Sequence, residues 1–136
     1  MLSRRMFTGC AICAAIGFVA DDASAQVPSG IRRKITSRID GPIEGYETLQ
    51  VLVDIEPNFV IAWHTHPGTE AAYTLEGNGE LQIKGEETKT VKPGFSWLTP
   101  PETPHRLKNG PQATTLFVTF TVQKGKPLST PAPAPT

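Results

Sequence analysis

The chain has 136 residues, with thirteen lysines and arginines against thirteen aspartates and glutamates, and only three histidines and two cysteines. One domain is expected at that length, and a neutral chain without a basic run argues against nucleic acid or a charged membrane surface as partner. Both cysteines, Cys10 and Cys13, lie near the N-terminus, so the rest of the chain can form no disulfide and offers no thiolate nucleophile or ligand.

The N-terminal stretch stands apart in composition. Ser3-Arg4-Arg5-Met6-Phe7 is a twin-arginine pattern, an apolar run from Cys10 to Ala20 follows, and Ala23-Ser24-Ala25 places small residues where a signal peptidase cleaves. A charged start, a short apolar core and an A-x-A site together describe an export signal over residues 1–25. The apolar run falls short of the roughly 20 residues that a helix needs to span a bilayer. The expectation is a periplasmic or otherwise exported protein, sent by the twin-arginine route and free of the membrane after cleavage. The chain from Gln26 onward keeps eleven basic and eleven acidic residues.

Residues 26–47 read as an N-terminal arm. Ile31, Ile35 and Ile39 recur every four residues, which fits a helix face, but Pro28, Gly30, Gly41 and Pro42 flank the segment. The arginines and lysine between them favour a basic edge strand, since such charges protect a sheet edge. From Thr48 to Glu56 the pattern turns to period two, with Leu49, Val51, Val53 and Ile55 on one face. Further strands are expected over Phe59–His66, Glu70–Leu75, Glu80–Lys84, Thr88–Lys92, Phe95–Thr99, His105–Lys108 and Thr114–Gln123, with glycine and proline turns between them. About nine short strands at regular spacing and no convincing helix imply an all-β sandwich or barrel over residues 48–123. The proline-rich tail over 124–136 is expected to be extended, solvated and unstructured.

The three histidines are His64, His66 and His105, and Glu70 follows the first two after a Pro67-Gly68 turn. Residues i and i+2 on a strand point the same way, so His64 and His66 can reach one point while Trp63 and Thr65 face the other side. Glu70 joins them if it starts the next strand pointing inward, and a closed barrel can bring His105 from a distant strand. Neutral imidazoles with a carboxylate suit a divalent transition metal: manganese, iron, nickel, zinc or copper. Calcium and magnesium prefer shells of oxygen alone. Four such ligands in an octahedral site leave two positions for water, substrate or oxygen.

The arrangement resembles the cupin superfamily. Its first motif, Gly, five residues, His-x-His, three or four residues, Glu, six residues, Gly, is matched by His64, His66, Glu70 and Gly77, with Asn58 in place of the opening glycine. Its second motif is matched by Gly94, Pro100, His105 and Asn109, with Glu102 where the family has glycine. The resemblance covers Thr48 to Gln123 and implies a single-domain jelly-roll β-barrel whose metal ligands are His64, His66, Glu70 and His105. It implies no single reaction, because cupins include dioxygenases, decarboxylases, isomerases, lyases and non-catalytic proteins.

Glu102 lies on a proline-stiffened loop three residues before His105. It is read either as a carboxylate beside the site, serving as a general base near bound substrate, or as an ordinary exposed loop charge. By strand parity Val60, Ala62, Ala72, Thr74 and Leu107 are expected to face the ligands, and Tyr73 and Trp63 to face away. Phe95 and Trp97 share a face and are expected to pack in the core. Two functions follow: a metal-dependent enzyme acting on a small organic molecule by dioxygenase-like or isomerase/lyase-like chemistry, or a non-catalytic metal or small-ligand binder. A homodimer formed through the basic arm is a further expectation.

Overall fold

A computed structural model describes residues 29–136. The expected export signal, both cysteines and the first residues of the arm lie outside the described residues. Ten strands follow one another: β1 Ile31–Asp40, β2 Tyr46–Ile55, β3 Val60–Thr65, β4 Gly68–Glu76, β5 Gly79–Ile83, β6 Lys89–Val91, β7 Ser96–Thr99, β8 His105–Asn109, β9 Thr114–Gln123 and β10 Thr130–Pro131. They form two five-stranded sheets, in the order β1-β2-β9-β4-β7 and β10-β3-β8-β5-β6. Every pairing is antiparallel. This is the all-β jelly-roll architecture expected from the strand spacing and the resemblance.

The centre of the first sheet follows from simple alternation. Leu49, Val51, Val53 and Ile55 on β2, and Leu116, Val118, Phe120 and Val122 on β9, all point into the core. The two strands pair without interruption from Tyr46↔Gln123 to Ile55↔Thr114. Leu81 and Ile83 on β5, Val91 on β6 and Leu107 on β8 close the core from the second sheet.

The arm is the basic edge strand favoured by its composition. β1 pairs with β2, a bulge at Thr36 interrupts the ladder between Ile35 and Ser37, and the Thr36 hydroxyl donates to the Gln50 carbonyl at 3.1 Å. Only Ile31 is buried on this strand, and Arg33 is half-buried.

Two expectations fail on the opposite edge. On β3, Val60 and Ala62 are exposed. The pairing with β8 explains this: Ile61 lies opposite Leu107 and His64 opposite His105, so three steps on β3 match two on β8. A bulge of this kind shifts side-chain parity, and it turns Ile61 rather than Val60 or Ala62 toward the ligands. The tail is not unstructured either. Thr130 and Pro131 pair with Thr65 and His64, Ala132 N–H donates to the Trp63 carbonyl at 2.9 Å, and Leu128 packs on the core. The tail thereby covers the free edge of β3, and Pro131 sits where the ladder needs no donor from it.

Candidate metal centre

The site lies inside the barrel near the β3 edge. His64 is next to last on β3, His66 lies in the corner before β4, Glu70 is on β4 and His105 opens β8. The corner is tight: a side chain on Gly68 would run into the Thr121 carbonyl, so β4 crosses β9 closely enough to set Glu70 beside the histidines. Glu70, Ala72 and Thr74 point inward and Tyr73 outward, as strand parity requires. Leu107 also faces in, as expected.

The histidine rings are held in one orientation by the same device. His64 Nδ1 is bonded to the Ala62 carbonyl at 2.8 Å, His66 Nδ1 to the Leu128 carbonyl at 2.6 Å, and His105 Nδ1 to the Thr103 carbonyl at 2.9 Å. A carbonyl only accepts, so each Nδ1 carries a proton, and each ring presents its Nε2 lone pair when neutral. The ligand atoms of His64, His66 and His105 lie within 4.8 Å of one another. Two ligands bound at about 2.0–2.1 Å from one ion stand closer together than that, so closing on an ion asks only small ring movements. The Nε2 atoms of His66 and His105 are buried and lack hydrogen-bond partners among the described residues. Buried polar atoms are rarely left so, and a metal ion would satisfy both. The donor set therefore fits a divalent transition metal.

Glu70 lies next to His66 and His105, outside the group of three histidines whose ligand atoms come together. Its Oε2 lies 3.2 Å from His105 Nε2 and its Oε1 3.8 Å from His66 Nε2. His105 Nε2 has no hydrogen-bond partner among the described residues, and the contact is ionic when the ring is protonated. Thr99 Oγ1 donates to Glu70 Oε2 at 2.8 Å and fixes the carboxylate. Burial works against the charge on Glu70, but His105, His66 and Thr99 outweigh it and hold the carboxyl below its usual range. Burial, with the neighbouring imidazoles, lowers His64 to about 3, and burial lowers His66 despite the pull of Glu70. On His105 burial is outweighed by Glu70, and its pKa is raised. The site thus favours two neutral imidazoles and an ionised carboxylate, the forms that bind metal.

The other sequence candidates fall elsewhere. The backbone N–H of Glu102 donates to the His66 carbonyl at 3.0 Å, while the residue itself is exposed and does not line the cavity. Its φ is +53° and that of Asn58 is +59°, so both residues standing where the family has glycine take the left-handed conformation that glycine adopts freely. Asn109 is structural: its amide donates to the carbonyls of Ile55, Glu56 and Gln112, and its side-chain oxygen accepts from Thr114. Trp63 faces away from the histidines, and the Arg106 guanidinium sits 5.2 Å from its ring centroid. Trp63 nevertheless borders a cleft beside the site, where parity alone gave it no place. Trp97 packs in the core and stacks with Phe95, yet it also lines the cavity at the histidines.

Sequence reasoning missed Arg33 altogether. It lines both the cavity around the histidines, of about 40 Å³, and the larger cleft, of about 360 Å³, between β1, β3 and the tail. The first space suits an ion and a water; the second is in the range of small-molecule sites. The signal was the inward parity of Arg33 opposite Val53, hidden until β1 was paired with β2.

A jelly-roll barrel with a buried three-histidine cluster and an adjoining carboxylate defines the class. The cupin domain family matches residues 51–125, and the chain belongs to that family. No curated protein matches the chain significantly. Among solved structures, it is similar to a conserved double-stranded β-helix protein from Klebsiella pneumoniae, with a TM-score of 0.60, 18% identity, and coverage of 82% of this chain and 91% of that one. It is similar to the polyketide cyclase RemF from Streptomyces resistomycificus, with a TM-score of 0.57, 24% identity, and coverage of 70% and 67%. It is also similar to the DMSP lyase DddQ from Ruegeria pomeroyi, with a TM-score of 0.57, 18% identity and coverage of 62% of this chain. The match spans only 43% of that lyase. At these identities the likeness is one of fold.

Proposed function

We propose that this protein is an exported metal-binding cupin that acts on a small organic molecule, with His64, His66, Glu70 and His105 as the ligands of one divalent transition metal. One observation carries the reading: three imidazoles, each with Nδ1 tied to a backbone carbonyl, bring their ligand atoms within 4.8 Å of one another, and two of the Nε2 atoms are buried without partners among the described residues. A bound ion supplies Lewis acidity at a substrate oxygen, and redox chemistry if it is iron, manganese, nickel or copper. The chain's own part is to hold the rings, keep Glu70 ionised and exclude water with apolar walls such as Ile61, Leu107 and Phe120. The lyase and cyclase among the similar structures support a small organic molecule as substrate.

The test has two stages. Elemental analysis of protein from its own compartment is expected to show about one transition metal per chain. A panel of flavonols, β-diketones, uronic acids and short organic acids then reports turnover, which His66→Ala is expected to abolish. Metal with binding but no product across the panel leaves the non-catalytic binder. That second reading is favoured by the scarcity of acid–base side chains around the histidines, where the walls are mostly apolar.

Glu102 remains the one candidate base outside the ligand set. Its loop hangs from the His66 carbonyl, and a Glu102→Gln variant with unchanged turnover removes it from the chemistry. Export rests on Arg4-Arg5, the apolar run and Ala23-Ser24-Ala25. Fractionation of cells expressing an Arg4→Lys, Arg5→Lys variant tests it, with retention inside the cell expected. Among the described residues no helix is long and apolar enough to cross a membrane. The outer edge of β1, unpaired among the described residues, with Ile35 and Ile39 exposed beside it, supports a homodimer, which a monomer on sedimentation would remove.

A further inference from the structure

Three arginines lie on β1, and their partners are distributed against expectation. Arg32 is exposed and pairs with Asp54 at 2.9 Å; Arg38 is exposed and pairs with Glu47 at 3.3 Å. Arg33 is the half-buried one, opposite Val53, and it has no carboxylate within ion-pair distance among the described residues. Stability alone would pair the desolvated cation first, because an exposed pair contributes little and an unpaired buried charge costs much. Glu70 is near enough to favour the charge on Arg33, but burial has the larger effect, and Glu70 is already committed to Thr99 and the histidines. The guanidinium thus faces a space rather than a partner.

That space has a definite character. The cleft of about 360 Å³ is lined by Ile31, Phe59, Ile61 and Pro131, with Ser129 and the cation of Arg33 as polar features, and His64 at its inner end. Arg33, Ile61 and His64 also line the smaller cavity at the histidines, so the two spaces meet at these three residues. A ligand in the cleft meets apolar walls, one cation, and then the metal centre.

We propose that this cleft is a carboxylate-binding site, in which Arg33 anchors the carboxylate of a small organic acid whose apolar body lies on Ile31, Phe59, Ile61 and Pro131. A guanidinium offers a planar fork of donors that matches a carboxylate, and in a partly desolvated site such bonds are short and strong. The shared border with His64 puts the atoms next to that carboxylate beside the metal centre. The inference rests on the reading that this site takes a small organic molecule and narrows the class to organic acids. It also explains why β1, an edge strand, sends one arginine inward.

The test is titration of the metal-free and the metal-loaded full-length protein with acetate, butyrate, hexanoate and phenylacetate, with the corresponding amides, and with inorganic phosphate. Calorimetry and 1H–15N chemical shifts are the readouts. The metal-free wild type is expected to bind the longer acids, with affinity rising from acetate to hexanoate. The amides, and Arg33→Gln with the acids, are expected to bind about ten- to a hundredfold more weakly. Arg33→Lys is expected to fall between, since it keeps the charge and loses the fork. Equal binding of acids and amides to the wild type overturns the proposal without recourse to any variant. So does phosphate binding with no gain from an organic chain, or acid binding that needs the metal and ignores Arg33→Gln. Metal content is measured separately on every sample. Loss of the metal reading with acid binding intact, or the reverse, therefore tells which of the two has failed.

Discussion

The β2–β9 ladder and the β3–tail edge are built on opposite terms. Along β2 and β9, ten residues pair with ten without a break, and every second side chain is buried throughout β9 and from Leu49 on in β2. Along β3 the ladder slips between Ile61 and His64, the strand gives way to a corner at His66, and a proline-rich segment supplies the neighbouring strand. The regular region holds the fold together. The irregular one carries His64 and His66: the bulge sets which β3 side chains face them, and the corner places His66 beside His64 at the start of the turn into β4. The difference teaches that stability and site are separable here, and mutations in one region should leave the other largely intact.

The largest effect is expected in the ladder. Ile55 is 1% exposed, and Ile55→Ala should cost about 2–5 kcal/mol in urea unfolding while the protein keeps its full metal stoichiometry. Joint loss of stability and metal would show the two regions to be coupled. His64→Ala is the converse change. His64 is half-buried and its ring hydrogen bond is local, so metal-free stability should shift by about 0.5 kcal/mol or less, while metal affinity falls by more than about a hundredfold in a chelator competition.

The tail tests the edge itself. Ending the chain at Lys126 removes the Leu128 carbonyl that holds His66 Nδ1, and metal affinity should fall about ten- to a hundredfold. Leu128→Ala keeps that carbonyl and loses packing on the core, so it should lower stability by about 1–3 kcal/mol with little effect on the metal. If both changes act alike, the tail works through packing and not through the histidine.

A pH titration of metal binding sharpens the view of the site. His64 and His66 are held below the ordinary imidazole range, so they stay neutral and do not compete for protons near neutrality. His105 is raised, so in the free site it is the group that must lose a proton when metal binds. Affinity should therefore rise with pH through the raised His105 titration, with about one proton released per metal bound. Release of two or three protons between pH 6 and 8 would show that the other two rings titrate as free histidines do. The smallest effect is expected at Arg32→Ala, which breaks an exposed pair with Asp54 and should change stability by about 0.5 kcal/mol or less.

Much of this was legible from pattern. Leu49, Val51, Val53 and Ile55 announced β2, the β-branched and aromatic run announced β9, and the parity of Ala72 and Thr74 against Tyr73 was right on β4. The positive φ at Asn58 follows from a residue that tolerates a left-handed turn. The same parity rule failed at Val60 and Ala62, because a bulge belongs to a pair of strands and leaves no mark on one of them alone. The tail failed for a related reason: proline-rich composition predicts solvated chain, but a free strand edge recruited it. In the sequence Arg33 reads only as edge protection, since which way a charge on an edge strand faces depends on the strand beside it.

The order of residues by itself determined the alternating strands, the histidine-and-carboxylate set and the places where the chain must turn. These depend on local periodicity, backbone freedom and ligand chemistry, all carried by a few neighbouring residues. Only the tertiary structure decided that His105 meets His64 and His66, that the Leu128 carbonyl holds a ring 62 positions away, and that Arg33 faces a cleft with no ion-pair partner among the described residues. Those are facts about which strands lie side by side. They arise from the summed packing of two sheets, which no single stretch of the chain contains.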